Sequence, residues 1–143
     1  MKQKFISLYI NIADLISKMS YSLRNKVGCI IVKNNNILSF GYNGTPTGFD
    51  NCCEIDENTT KSEVIHSEMN AIAKAASEGI SIKDSIVFIT LSPCFDCAKA
   101  LIQCKIKEIY YLDEYRITEP IQMLQKANIK VYRINKKGEI LNG

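Results

Sequence analysis

The stretch SIVFITLSPCFDCAKALI, residues 85–102, changes character at its middle. Residues 85–91 read as a strand, and the segment after Pro93 reads as a helix with the proline near its first turn, where a missing N–H costs nothing. Cys94 and Cys97 then stand three apart on that turn, which puts both sulfurs on one face. The partial positive charge of a helix N-terminus lowers thiol pKa values and so favours thiolates.

Working outward, the alternation continues downstream. EIYYL (108–112) reads as a strand, 117–127 as a helix and IKVYRI (129–134) as a last strand. Strands alternating with helices predict parallel pairing and right-handed crossovers. Upstream, Ser62 to Glu78 carries Ile65, Met69, Ile72, Ala73 and Ala76 as one helical stripe, and Gly79 is a natural stop. VGCIIV (27–32) and ILSFGY (37–42) flank the turn NNN and predict a hairpin. GYNGTPTGFDNCCEIDENTT (41–60) is rich in Gly, Asn, Thr and Pro and reads as a loop; loops of this length are often functional.

Residues 2–19 place Phe5, Leu8, Ile12, Leu15, Ile16 and Met19 at helical spacing. Asn11, Asp14 and Lys18 interrupt that segment, which argues for an amphipathic helix over a signal peptide. With no internal repeat or low-complexity tract, residues 1–143 are expected to form a single α/β domain around five strands.

Composition narrows the function classes. A 46% hydrophobic share and a 23% charged share suit a soluble globular protein. A net charge of +3 suits phosphate-bearing ligands but gives no case for a nucleic-acid binder, and no stretch approaches the roughly 20 apolar residues of a membrane span. Six cysteines without a secretory segment point to a cytoplasmic chain with mostly free thiols and a metal site.

The one histidine, His66, lies in VIHSEMNAI. His66, Cys94 and Cys97 together form a donor set that suits zinc. Two other readings of the cysteines exist: a thioredoxin-like redox pair, and a closed structural zinc completed by Cys52, Cys53 or Cys104. Neither uses Glu68, two residues after the histidine. Three protein ligands leave a position for water, and Glu68 is then placed to shuttle its proton. H-x-E followed by P-C-x-x-C is an established signature of zinc nucleobase deaminases, here His66-Ser67-Glu68 and Pro93-Cys94-Phe95-Asp96-Cys97. Cys29, in an apolar strand, and Cys104, late in a helix, are expected to be core thiols.

GYNGTPTG, NCCE, HSEMNAI, LSPCFDCAKALI and IYYLDEY, in that order, closely resemble the deoxycytidylate (dCMP) deaminases, particularly the bacteriophage type, within the cytidine deaminase-like superfamily. The resemblance runs from about Lys26 to Tyr115. It implies a three-layer α/β/α fold around a five-stranded mixed sheet, and zinc-dependent conversion of dCMP to dUMP and ammonia for thymidylate synthesis. It also implies a homo-oligomer, with a hexamer favoured, and dCTP and dTTP as effectors. The family's usual His-Ala-Glu is His-Ser-Glu here. Some phage-type relatives carry a longer insertion that binds a second, structural zinc. Only twelve residues separate Cys53 from His66 and no second histidine exists, so one zinc per subunit is expected.

For the substrate, the resemblance implies that Asn43 bonds the deoxyribose. It also implies that the Ser67 backbone N–H and the carbonyls of Leu91 and Ser92 read the pyrimidine edge. Arg24 and Lys26, in SLRNKVG, are candidates for the phosphate, with solvated surface charge as the plain alternative. Tyr115 is a candidate for stacking on the base, and Tyr111 leans to packing. dCTP, free cytidine or deoxycytidine, and tRNA adenosine remain alternative substrates. A non-catalytic zinc- or nucleotide-binding module is the alternative from another class.

Overall fold

A computed structural model describes residues 1–142. The elements run α1 (Gln3–Ser17), β1 (Gly28–Lys33), β2 (Asn36–Tyr42), β3 (Glu54–Asp56), β4 (Thr59–Thr60), α2 (Ser67–Ser77), β5 (Ile86–Leu91), α3 (Phe95–Gln103), β6 (Glu108–Asp113), α4 (Glu119–Lys126) and β7 (Lys130–Arg133). Five strands form one mixed sheet in the order β2-β1-β5-β6-β7. β1 is antiparallel to β2 and β5, while β5, β6 and β7 are parallel, as the strand–helix alternation predicts. Asn34 and Asn35 take left-handed φ values of 52° and 60°, the conformation a two-residue hairpin turn demands between β1 and β2.

Side-chain alternation along the strands builds two cores. Cys29, Ile31, Val87, Ile89, Ile109 and Tyr111 face one way and pack with Ala71, Ala75, Leu101 and Leu124 of α2, α3 and α4. Ile30, Val32, Phe88 and Tyr110 face the other way and pack with Ile6, Tyr9, Ile10 and Ala13 of α1. The result is the expected three-layer α/β/α arrangement, with the central strands apolar on both faces because both are covered. On the α1 side, Phe88, Tyr110 and Tyr132 occupy one register row and stack at 5.0 and 5.1 Å between ring centroids.

Three expectations need correction. First, α1 buries Ile6, Tyr9, Ile10, Ala13 and Ser17, whereas Leu8, Leu15 and Met19 of the expected stripe are 49%, 63% and 62% exposed. The cause lies at Gly28, where an added Cβ would meet the Ala13 carbonyl and come within 2.6 Å of the Ser17 nitrogen. There the helix approaches β1 so closely that the small Ala13 and Ser17 face it, and a stripe read from large apolar residues does not register them. Second, α2 begins at Ser67 rather than Ser62. Ile65 exchanges backbone bonds with Gly44 (Ile65 N to Gly44 O, 2.8 Å; Gly44 N to Ile65 O, 3.1 Å), which keeps the chain extended up to His66. Third, the 41–60 segment is not all loop: β3 and β4 form a small antiparallel hairpin.

Gly41 governs how α2 docks. A Cβ there would collide with the Ser67 carbonyl and stand 2.6 Å from the Ala71 nitrogen. Gly41→Ala is expected to destabilise the fold by about 1–3 kcal/mol through overpacking, read as a lower urea midpoint with an unchanged slope.

Candidate active site

Several elements meet beyond one end of the sheet's central strands. They are the start of β1, the end of β2, the carboxyl ends of β5 and β6, and the N-termini of α2 and α3. A crevice beyond the carboxyl ends of parallel strands is where open α/β sheets place ligands. Here it is a cleft of about 460 Å³.

His66 is the N-cap of α2 and Cys94 the N-cap of α3, so both project from helix starts, and Cys97 follows within the first turn of α3. His66 Nδ1 lies 3.5 Å from Cys94 Sγ and 3.4 Å from Cys97 Sγ. The three donor atoms all lie within 4.8 Å of one another. Zinc bonds of about 2.0 Å to nitrogen and 2.3 Å to sulfur at a tetrahedral angle imply an N–S edge of roughly 3.5 Å, so these residues fit the ion. Among the described residues this is the one His/Cys/Asp/Glu cluster of such geometry. Cys52 is exposed and Cys53 buried, each with its sulfur turned to a nearby backbone carbonyl, and neither joins the cluster. Cys29 is buried in the core as expected, and Cys104 is partly buried against it.

Hydrogen bonding divides the two thiols. A hydrogen bond from Cys97, reinforced by one from His66, pulls the Cys94 thiol down to about 4. Cys97 is pushed up in turn, because its proton is held toward Cys94. The hydrogen bond to Cys94 raises the His66 ring above its ordinary value.

Glu68 sits in the first turn of α2, 4% exposed, and lines the cleft without belonging to the metal cluster. Burial raises its pKa, opposed by the Ser67 hydroxyl, which donates to Glu68 Oε1 at 2.8 Å. Ser67 is fully buried, so the departure from His-Ala-Glu adds a hydrogen bond on the carboxylate.

Most of the remaining predicted residues come together. Asn43, Ser67, Leu91, Ser92, Arg24 and Tyr115 all line the cleft. Asn43 also binds the chain around it: its Oδ1 accepts from Val27 N–H at 2.8 Å and its Nδ2 donates to the Asn25 carbonyl at 2.7 Å. Lys26, between those two backbone groups, is exposed and lies outside the cleft lining. Ser92 Oγ accepts from Tyr115 N–H at 2.7 Å and so anchors the loop after β6. Tyr111 is core, as its lean to packing anticipates. The sequence reading passed over Glu114 and Arg116, which also line the cleft. Their signal was available: EYR (114–116) directly follows a strand that pairs in parallel.

The zinc-binding region of the cytidine and deoxycytidylate deaminases matches residues 2–113. The chain belongs to that family. It is 44% identical to the dCMP deaminase of cyanophage S-TIM5, crystallised in complex with dCMP and dUMP; the match covers 94% of this chain and 99% of the other, with a TM-score of 0.91. It is 34% identical to the deoxycytidylate deaminase of Enterobacteria phage T4 over 92% of this chain and 90% of that enzyme. That alignment spans 175 positions against a chain of 143 residues, so the phage T4 enzyme carries segments absent here. A probable deoxycytidylate deaminase of Caenorhabditis elegans is 36% identical, over 88% of this chain and 68% of the relative.

The double bond pattern at Asn43 makes it a structural residue of this deaminase as well as a cleft residue. Asn43→Ala strands the Val27 N–H and the Asn25 carbonyl and is expected to cost about 1–3 kcal/mol of stability, measured by urea denaturation.

Proposed function

We propose that this chain is a hydrolytic dCMP deaminase, one deaminase domain working in the cytoplasm with a single zinc ion per subunit and releasing dUMP and ammonia. The observation that carries the reading is the imidazole nitrogen at 3.4 and 3.5 Å from two sulfurs, with a buried carboxylate outside the cluster in the same cleft. The substrate follows from the phage relatives and from a cleft that offers two arginines, Arg24 and Arg116, to a monophosphate.

His66, Cys94 and Cys97 would hold the zinc, which supplies a Lewis acid that lowers the pKa of a water to about 7. Glu68 does the proton work. Its carboxylate takes one proton from the attacking water and places it on N3 of the cytosine, which makes C4 electrophilic. After oxygen adds to C4, Glu68 relays the second water proton to the exocyclic amino group, and that group leaves as ammonia. Burial favours the protonated carboxyl between these steps, and the Ser67 hydroxyl holds Oε1 in place. Asn43, the Ser67 N–H and the carbonyls of Leu91 and Ser92 orient sugar and base, with Tyr115 beside them.

The exposed Leu8 and Leu15 of α1, with Met19 just after it, leave apolar surface uncovered, which supports a homo-oligomer, a hexamer in this reading. dCTP and dTTP are its proposed effectors. Among the described residues no helix is long and apolar enough to cross a membrane.

Glu68→Gln is expected to lower kcat by about 10²–10⁴-fold while zinc content stays at one ion per chain, measured by elemental analysis. His66→Ala is expected to lose the metal and the activity together. Ammonia release from a panel of dCMP, dCTP, deoxycytidine, cytidine and a tRNA anticodon stem-loop is expected to be greatest with dCMP. Equal activity on nucleoside and nucleotide would overturn the monophosphate assignment.

A further inference from the structure

We propose that the β3–β4 hairpin is a clamp for the phosphate end of the substrate, with Glu54 and Thr60 acting as positioning residues through Arg24. The inference rests on the dCMP reading and adds to it the residues that set nucleotide affinity.

Glu54 and Thr60 are direct cross-strand partners in the hairpin. From one side of that pair, Glu54 Oε2 accepts three hydrogen bonds: Ser22 Oγ at 3.0 Å, Leu23 N at 3.2 Å and Arg24 N at 3.4 Å. From the other, Thr60 Oγ1 accepts from Arg24 Nη1 at 3.1 Å. Arg24 is therefore gripped at its backbone and at its guanidinium by two facing residues. Ser22, Arg24 and Thr60 line the cleft that holds Glu68, whereas Glu54 stands behind them and does not.

The hairpin has little else to do. Its strands have three and two residues, and Ile55, its one large apolar side chain, is 69% exposed. A two-stranded hairpin of this size is marginal alone, and this one buries almost no core. What it does contact is the segment carrying Arg24. A guanidinium has five N–H donors, and the Thr60 bond uses one, leaving the rest of the fork for phosphate oxygens. Fixing a long, rotamer-rich side chain before the ligand arrives removes part of the ordering cost of binding. That benefit falls on the end of the substrate that does not react, so it belongs in KM rather than kcat.

The test is steady-state kinetics on dCMP, with calorimetry of dUMP and deoxyuridine, for the zinc-loaded wild type and the variants Glu54→Ala, Thr60→Val, Arg24→Ala and Glu54→Ala/Arg24→Ala. Glu54→Ala and Arg24→Ala are expected to raise KM for dCMP about tenfold, with kcat moving much less. Thr60→Val raises KM by a smaller factor, and the double variant is no worse than Arg24→Ala alone, because the clamp works through that side chain. Affinity for dUMP falls in step with KM while affinity for deoxyuridine does not. Losses confined to kcat, additive losses in the double variant, or equal losses for dUMP and deoxyuridine overturn the clamp. If Glu54→Ala does not fold, Thr60→Val decides the matter by the same readouts. A wild type that turns over dCMP alongside indifferent variants sinks the clamp alone. A wild type inert on dCMP sinks the substrate reading and the clamp with it.

Discussion

Two helices must begin at the same point, and the contact of His66 Nδ1 with the sulfurs of Cys94 and Cys97 records that they do. Helix starts carry partial positive charge, so the meeting of α2 and α3 creates a place where thiolates are stabilised. The two thiols and the imidazole lie at distances that suit a common cation, and the same hydrogen bonds from Cys97 and His66 pull the Cys94 thiol down. The backbone enforces the meeting from both sides. The Gly44–Ile65 bridge keeps the chain extended until His66, and Gly41 lets α2 lie against β2 at a spacing no side chain would permit.

Around that contact, polar side chains hold two surface segments and present their neighbours to the cleft. Asn43 secures residues 25–27, and Ser92 secures the turn that carries Tyr115. Each bond is worth only about 1 kcal/mol net, yet removing one partner leaves the other desolvated. Among the described residues no buried side-chain nitrogen or oxygen lacks a partner. These hydrogen bonds tie down the segments that line the cleft, while the two apolar cores hold the sheet and helices that carry it. This division lets the mobile-prone parts of such a fold, its loops, present chemistry from a rigid frame.

The legible features are those written locally. Strand and helix identities follow from the period of the apolar pattern, and the parallel half of the sheet follows from strand–helix alternation. The cluster of His66, Cys94 and Cys97 and its neighbour Glu68 were readable because both halves are short motifs at helix mouths, where local spacing already fixes which atoms face together. The errors fall where distant segments meet. The buried face of α1 depends on Gly28, more than ten residues after Ala13. The start of α2 depends on a partner strand segment at Gly44. The β3–β4 hairpin has too little apolar pattern to announce itself.

The amino-acid order by itself determined the five strands of the main sheet, its four helices and the candidate set His66, Glu68, Cys94 and Cys97, because periodicity, turn residues and donor spacing act over a few residues. Only the tertiary structure decided that Arg24 and Arg116 share a cleft with Glu68 while Lys26 stays outside it. It alone showed that Asn43, Ser92 and Glu54 serve as anchors. Those assignments depend on which backbone groups are left unpaired when separate segments close on one another, and that is a property of the packed chain.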